Sequence, residues 1–231
     1  MSTAIKCENS LIIIPCYNHG IYLETLLGDI HRQLPHWEIV LVDDGSTDDS
    51  SLTAAPMGCH VIRHPENLGK GAALWTGIQW GLSHGNDWFL FMDADGQHPA
   101  SSIPTFLDAI NNSENTFVIG NRLGDMTDMP YHRRLSNRLT SWILSKKIGR
   151  HIPDSQCGFR LIHKSCLEDF HPKTQHYETE TEILLHAARK SARFESIKIP
   201  TIYQGQRSGI HNFRDTVRFI RLIGAYRKGV M

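Results

Sequence analysis

Three short apolar runs, each stopped by a cluster of polar turn residues, constrain most strongly what this chain can fold into. Leu11–Ile14, Trp37–Val42 and Trp88–Met92 are rich in β-branched and aromatic residues and are too short for buried helices. They read as strands covered on both faces. Helical spacing follows the first run over Ile21–Leu34, with Leu23, Leu26, Leu27 and Ile30 on one side. Further helical stretches run over about Ala72–Ser83 and Ala100–Asn111, and a brief strand is expected at Val61–Ile62. Strands alternating with helices imply crossover connections, hence an α/β fold with a mostly parallel central sheet flanked by helices.

Beyond Asn121 the pattern predicts a helix ending near Ile148, strands at Phe159–Ile162 and Ser196–Thr201, and a helix over Tyr177–Lys190. A strand at Phe117–Gly120 precedes them. No linker-like composition marks a boundary, so residues 1–231 are expected to form one domain. A chain of that length hides roughly 70% of its unfolded surface. Its 24 Lys and Arg balance 24 Asp and Glu, which argues against a nucleic-acid partner held by bulk charge. The five cysteines are scattered with no Cys-x-x-Cys pair, which fits reduced thiols. Neither an apolar signal core at the start nor a run of membrane-spanning length is present in the sequence, so a cytoplasmic location is expected.

The polar stops carry the chemistry. Asp93 and Asp95 follow the third apolar run one residue apart, then come Gln97 and His98. On an extended segment, residues two apart point the same way. Paired carboxylates with an amide suit a hard divalent cation, Mg²⁺ or Mn²⁺, and such a cation commonly grips a phosphate too. The plainer alternative is a turn in which Asp-Ala-Asp-Gly only bends the chain. Three strands ending in polar turns on one edge would line a crevice, the usual ligand position in such sheets.

Pro15-Cys16-Tyr17-Asn18, Asp43-Asp44-Gly45-Ser46, Asn67-x-Gly69-Lys70-Gly71, Asp93-Ala94-Asp95 and Asp154-x-x-x-Gly158-Phe159-Arg160 occur in this order. Together they resemble glycosyltransferase family 2, with its GT-A fold. Within that family the resemblance is to the dolichol- or polyprenol-phosphate mannosyltransferase-like branch. It runs from about Leu11 to Gly209. It implies a metal-dependent, inverting transfer from a nucleotide-diphosphate sugar to a polyprenyl-phosphate or other lipid-linked acceptor. Transfer to a hydroxyl of a glycan or glycolipid is the alternative, and a nucleotide-sugar-binding regulatory module is a second.

By the same resemblance, Pro15, Tyr17, Asn18, Asp43 and Asp44 hold the base and ribose, and Asn67, Gly69 and Lys70 shape the phosphate-facing loop. Asp95 and Gln97 ligate the metal, with Asp93 facing the sugar or metal. Arg122, Arg134 and Arg207 meet the acceptor phosphate, with Arg133 an equal candidate to Arg134. Asp154 is the remaining candidate base, and Glu180 a further site residue. The acceptor side begins near residue 121. His19 stands where many relatives carry an acid. The Gln-x-x-Arg-Trp motif of processive synthases is absent, which argues against a polymerising enzyme.

Between Pro200 and Met231 lie six Arg or Lys residues against one acid. A basic amphipathic helix over about 212–228 is expected, with Phe213, Val217, Ile220 and Gly224 along one stripe. Such a helix either lies on the inner face of a membrane or packs on the core with a solvated basic face.

Overall fold

The computed structural model describes residues 9–111, 114–123, 131–200, 202 and 212–226. Seven strands form one sheet in the order β3-β2-β1-β4-β6-β5-β7. They are β1 (Ser10–Cys16), β2 (Glu38–Asp43), β3 (His60–Arg63), β4 (Trp88–Phe91), β5 (Phe117–Asn121), β6 (Arg160–His163) and β7 (Phe194–Lys198). β6 runs antiparallel to both its neighbours, and every other pairing is parallel. The central strands β1 and β4 are buried along their whole length, as their unbroken apolar runs require. The helices are α1 (Gly20–Gln33), α2 (Ser50–Ala54), α3 (Lys70–Ser83), α4 (Ile103–Asn111), α5 (Tyr131–Ile148), α6 (Glu178–Arg189) and α7 (Asn212–Ala225).

The α/β expectation and the mostly parallel sheet are observed. Two local expectations are corrected. The last strand occupies 194–198 rather than 196–201, because Pro200 has no N–H to give a ladder. The short helix α2 follows the second polar turn, and the sequence reading contained none there. In α1, Leu23, Leu26, Leu27 and Ile30 are the buried positions, as their spacing implies. Among the described side chains of α7, Phe219, Leu222 and Ile223 face inward, as does Tyr226 just after it, whereas Ile220 of the expected stripe is 60% exposed. The Arg189 guanidinium lies 4.5 Å from the Tyr226 ring centroid and fastens that helix to α6.

The loop joining α5 to β6 is held from two sides. From α5, Ser141 Oγ accepts from Ser155 N at 2.9 Å and Ser145 Oγ accepts from Ile152 N at 2.9 Å. From the sheet, the wholly buried Arg160 donates to three carbonyls: Cys157 at 2.8 Å, Glu180 at 2.7 Å and Ser155 at 2.9 Å. A buried guanidinium is tolerated here because each of its donors meets a carbonyl, two in the Ser155–Cys157 stretch of the loop and one in the first turn of α6. Burial pushes the Cys16 and Cys59 thiols up to about 11 and Cys157 up to about 12, so these thiols stay protonated at neutral pH.

Replacing Arg160 by Met keeps the stem and strands the two loop carbonyls, of Ser155 and Cys157. Each buried orphan costs about 1–3 kcal/mol, so urea unfolding should show a loss of roughly 2 kcal/mol or more. A loss below about 1 kcal/mol would mean that the loop does not depend on these bonds.

Candidate active site

Parallel pairing puts the carboxyl ends of β1, β2 and β4 on one edge of the sheet, and two successive antiparallel pairings through β6 bring that of β5 to the same edge. The antiparallel β6 adds its amino end to the same edge. β1 has β2 on one side and β4 on the other, so the chain's connections diverge there, which opens a crevice beyond the strand ends. Tyr17, Asp44, Asp93 and Asp95 all follow strands ending on this edge, as the sequence reading requires.

The turns after β1 and β2 are tied to each other. Asp44 N donates to Cys16 O at 2.8 Å, Asn18 N to Ser46 Oγ at 3.0 Å, and Thr47 N to Asn18 Oδ1 at 2.8 Å. Asn18 adopts φ 57, a left-handed conformation that its short polar side chain tolerates. Asp43 accepts from Ser46 N at 2.8 Å and from Ser51 Oγ, with Arg63 Nε 3.7 Å away. Burial opposes its charge, but these bonds outweigh it and hold the carboxyl below its usual value. Both oxygens of Asp43 are thus bonded within the turn.

Asp44 is committed more deeply. It is 3% exposed and accepts from Leu68 N at 2.9 Å and Gly69 N at 2.8 Å, and its Oδ1 lies 2.7 Å from His64 Nδ1. The carboxylate therefore fixes the loop 67–69 that enters α3. Gly69 has φ +105, and a Cβ there would stand 2.5 Å from Gln175 O, so the loop needs glycine. Tyr17 is 42% exposed at the end of β1, and Asn67, in the loop that Asp44 fixes, is exposed as well.

Lys70, the first residue of α3, joins the two halves of the site. Its Nζ lies 2.6 Å from Asp93 Oδ1 and 3.0 Å from Glu180 Oε1 in the first turn of α6. Burial works against both charges. The two carboxylates nevertheless raise the Lys70 pKa above its ordinary value, and the Lys70 charge, with Arg122 beyond it, holds Asp93 well below the usual carboxylate range. Asp93 N donates to the buried His98 Nδ1 at 3.2 Å, and burial pushes the His98 pKa down. Its ring stacks on Phe159 at 5.2 Å. A Cβ on Gly158 would lie 2.8 Å from Asp93 Oδ2, so only glycine lets the Asp154–Gly158 loop approach so closely.

Arg122, assigned to the acceptor phosphate, and Asp154, the remaining candidate base, are each other's partners. Arg122 donates through Nε at 2.8 Å and Nη2 at 3.1 Å, and its backbone N at 3.2 Å, to the wholly buried Asp154. Such a bidentate pair fixes the guanidinium plane. Asp95 accepts from Gln97 N at 2.9 Å, which closes the turn around Gly96 and leaves both side chains half-buried at the crevice. Among the described residues no three His, Cys, Asp or Glu side chains form a metal cage. The Asp95 carboxylate and Gln97 amide suit a cation that takes its other ligands from water and a diphosphate.

Arg134 lies half-buried in the first turn of α5, and Arg207 lies outside the described residues. The roles of Arg160 and His98 were missed. The Gly-Phe-Arg segment and the imidazole after Asp95 were visible, but their partners are distant in sequence.

A sequence model described as Glycosyl transferase family 2 matches residues 11–170. The chain is 31% identical over 176 residues to polyprenol monophosphomannose synthase of Mycolicibacterium smegmatis, covering 72% of this chain and 66% of that protein. It is 28% identical over 200 residues to undecaprenyl-phosphate mannosyltransferase of Micrococcus luteus, covering 82% of each. Among solved structures it resembles glucosyl-3-phosphoglycerate synthase from Mycobacterium tuberculosis in complex with Mn²⁺, uridine diphosphate and phosphoglyceric acid. That likeness has a TM-score of 0.72 at 16% identity, over 96% of this chain and 80% of that one.

Removing the Lys70 charge tests the centre of the cluster. Lys70→Met leaves two carboxylates without their cation, so stability at pH 7 should fall by about 2–3 kcal/mol. In the wild type the depressed Asp93 pKa contributes stability above its unfolded value, near 3.8, and this is lost as pH falls through the folded value. Without Lys70 the carboxylates favour protonation, so the deficit should shrink between pH 7 and pH 4 in urea titrations. An equal deficit at both pH values would contradict the pairing.

Proposed function

The chain belongs to glycosyl transferase family 2 and is a glycosyltransferase with the GT-A fold, and we propose that it moves a sugar from a nucleoside-diphosphate donor to a polyprenyl-phosphate acceptor. The donor lies over the carboxyl ends of β1, β2 and β4. Tyr17 offers a ring face to the base. Asp43 and Asp44 shape the nucleotide-facing turns rather than read the base, because their oxygens are already bonded within the protein. The start of α3, with Gly69 and Lys70, faces the diphosphate, where helix amides favour negative charge.

A Mg²⁺ or Mn²⁺ ion would be held by Asp95 and Gln97 together with diphosphate oxygens. Bound there, it would neutralise charge developing on the leaving group. Asp93 stays ionised against Lys70 and faces the sugar. Asp154 holds Arg122 in plane, so that a fixed positive charge stands beside Asp93 where an anionic acceptor would arrive. The acceptor phosphate oxygen attacks the anomeric carbon in line. The bond to the diphosphate breaks, the electron pair leaves with it, and the configuration inverts.

The observation that carries the choice of acceptor is the ion pair of Asp93 with Lys70, 2.6 Å apart, which favours the ionised carboxylate. A carboxyl held far below neutrality is a weak general base, and the candidate base Asp154 is buried in an ion pair. A hydroxyl acceptor needs such a base, whereas a phosphate is already anionic. Polyprenyl-phosphate acceptors in the names of the relatives point the same way. The work would then be done at the cytoplasmic surface of a bilayer.

A screen of nucleotide sugars with Mn²⁺ and a short-chain polyprenyl phosphate should give transfer that chelation abolishes and Mn²⁺ restores. Asp95→Ala should lower it by roughly a hundredfold or more while the fold persists. Full turnover in that variant would refute the metal role, and transfer to alcohols alone would refute the phosphate acceptor.

A further inference from the structure

Helix α5 carries apolar side chains on two faces, one buried and one exposed. Its buried positions are Asn137, Ser141, Leu144 and Ile148, two of them polar, while Leu135, Leu139 and Trp142 are 58%, 54% and 59% exposed. The exposed three follow the i, i+4, i+7 spacing of one helix face. The inner polar side chains are used: Ser141 meets Ser155 in the loop that carries Asp154. Scattered exposed leucines are ordinary, but a tryptophan and two leucines in register along a helix that turns serine and asparagine inward form a patch with a purpose.

The charge around the patch selects what covers it. Over Tyr131–Ile148 the helix carries Arg133, Arg134, Arg138, Lys146 and Lys147 and no acid. Arg138 and Lys146 are exposed, one turn to either side of Trp142. A second copy docked face to face would set these charges against their own kind. A negatively charged surface with an apolar interior satisfies both halves. Tryptophan and leucine enter the acyl boundary while the basic side chains stay among the headgroups. No helix among the described residues is long and apolar enough to cross a membrane, so surface docking is the mode these residues offer.

We infer that the outer face of α5, centred on Leu139 and Trp142, docks the protein on an anionic bilayer. It is distinct from the basic C-terminal helix: of the large apolar residues described in α7, Phe219 is buried and Leu222 and Ile223 pack against the core, so Ile220 stands exposed alone. The inference goes beyond the proposed reaction and does not depend on the sugar or acceptor. It also places the Asp154 loop, which α5 supports, close to the plane in which a lipid-linked acceptor lies.

The test is sedimentation of the full chain with vesicles of phosphatidylcholine alone or mixed with phosphatidylglycerol. Binding to the anionic vesicles, weakened by salt, is expected. The double substitution Leu139→Asp with Trp142→Asp should lower partitioning by about tenfold or more, with the circular dichroism spectrum unchanged. Ile220→Asp on α7 should leave it within about twofold of wild type. Brominated lipids should quench tryptophan emission in the wild type and much less in Trp142→Phe, which should still bind. Absence of binding to anionic vesicles, or binding lost through Ile220→Asp but kept by the α5 variant, would overturn the inference. So would a wild-type dimer that the α5 substitutions dissolve. Nucleoside-diphosphate affinity in the absence of vesicles should be equal in all variants, which separates this result from failure of the reaction proposed above.

Discussion

One ammonium between two carboxylates holds the site together. Lys70 begins α3, where the positive end of the helix dipole disfavours a cation by about 0.3–1 kcal/mol. Asp93, from the end of β4, and Glu180, from the start of α6, offset that cost at 2.6 and 3.0 Å. The pairing therefore joins three segments that are far apart in the sequence. It also sets the protonation state of the crevice: Asp93 cannot gather a proton near neutrality while Lys70 faces it. Glu180 itself sits in the first turn of its helix, where a carboxylate is favoured.

Around that contact nearly every polar group of the mouth is already bonded to the protein. Asp43 and Asp44 hold the turn and loop that follow β2, Asn18 ties the first turn to the second, and Asp154 holds Arg122. A mouth so pre-bonded loses little freedom when a ligand arrives, which favours both binding and orientation. In the proposed reaction this leaves few side chains to do chemistry: Asp95 and Gln97 for a cation, Tyr17 for a base, and fixed positive charge near Asp93. That economy suits a nucleophile that arrives already charged. The inner polar side chains of α5 belong to the same scheme, since its serines hold the Asp154 loop while Leu135, Leu139 and Trp142 face out.

The strands were legible because burial on both faces demands unbroken apolar runs, and β1, β2 and β4 have them. The shared edge was legible as well, because parallel strands that end in polar turns bring those turns together. What could not be read were the pairings. Lys70 and Glu180 lie on different helices, and nothing in local spacing says that they meet. Arg122 and Asp154 were assigned separate tasks for the same reason. Arg160 stood in a recognised motif, yet its three carbonyl partners come from tertiary folding. The orientations of α5 and α7 were hidden too: periodicity identifies a stripe, but which stripe faces inward is decided by neighbouring elements. Thus Ile220 is exposed and Phe219 buried in α7, and Trp142 faces out while Ser141 faces in.

The central claim is that a divalent cation and a nucleoside diphosphate meet at the carboxyl ends of β1 and β4, beside Asp95. Crystals soaked with Mn²⁺ and uridine diphosphate, measured at the manganese absorption edge, test it most directly. The account predicts an anomalous peak within coordination distance of an Asp95 oxygen, with the diphosphate between it and the start of α3. A peak bound elsewhere, or a diphosphate ordered in the crevice with no cation near Asp95, would contradict it.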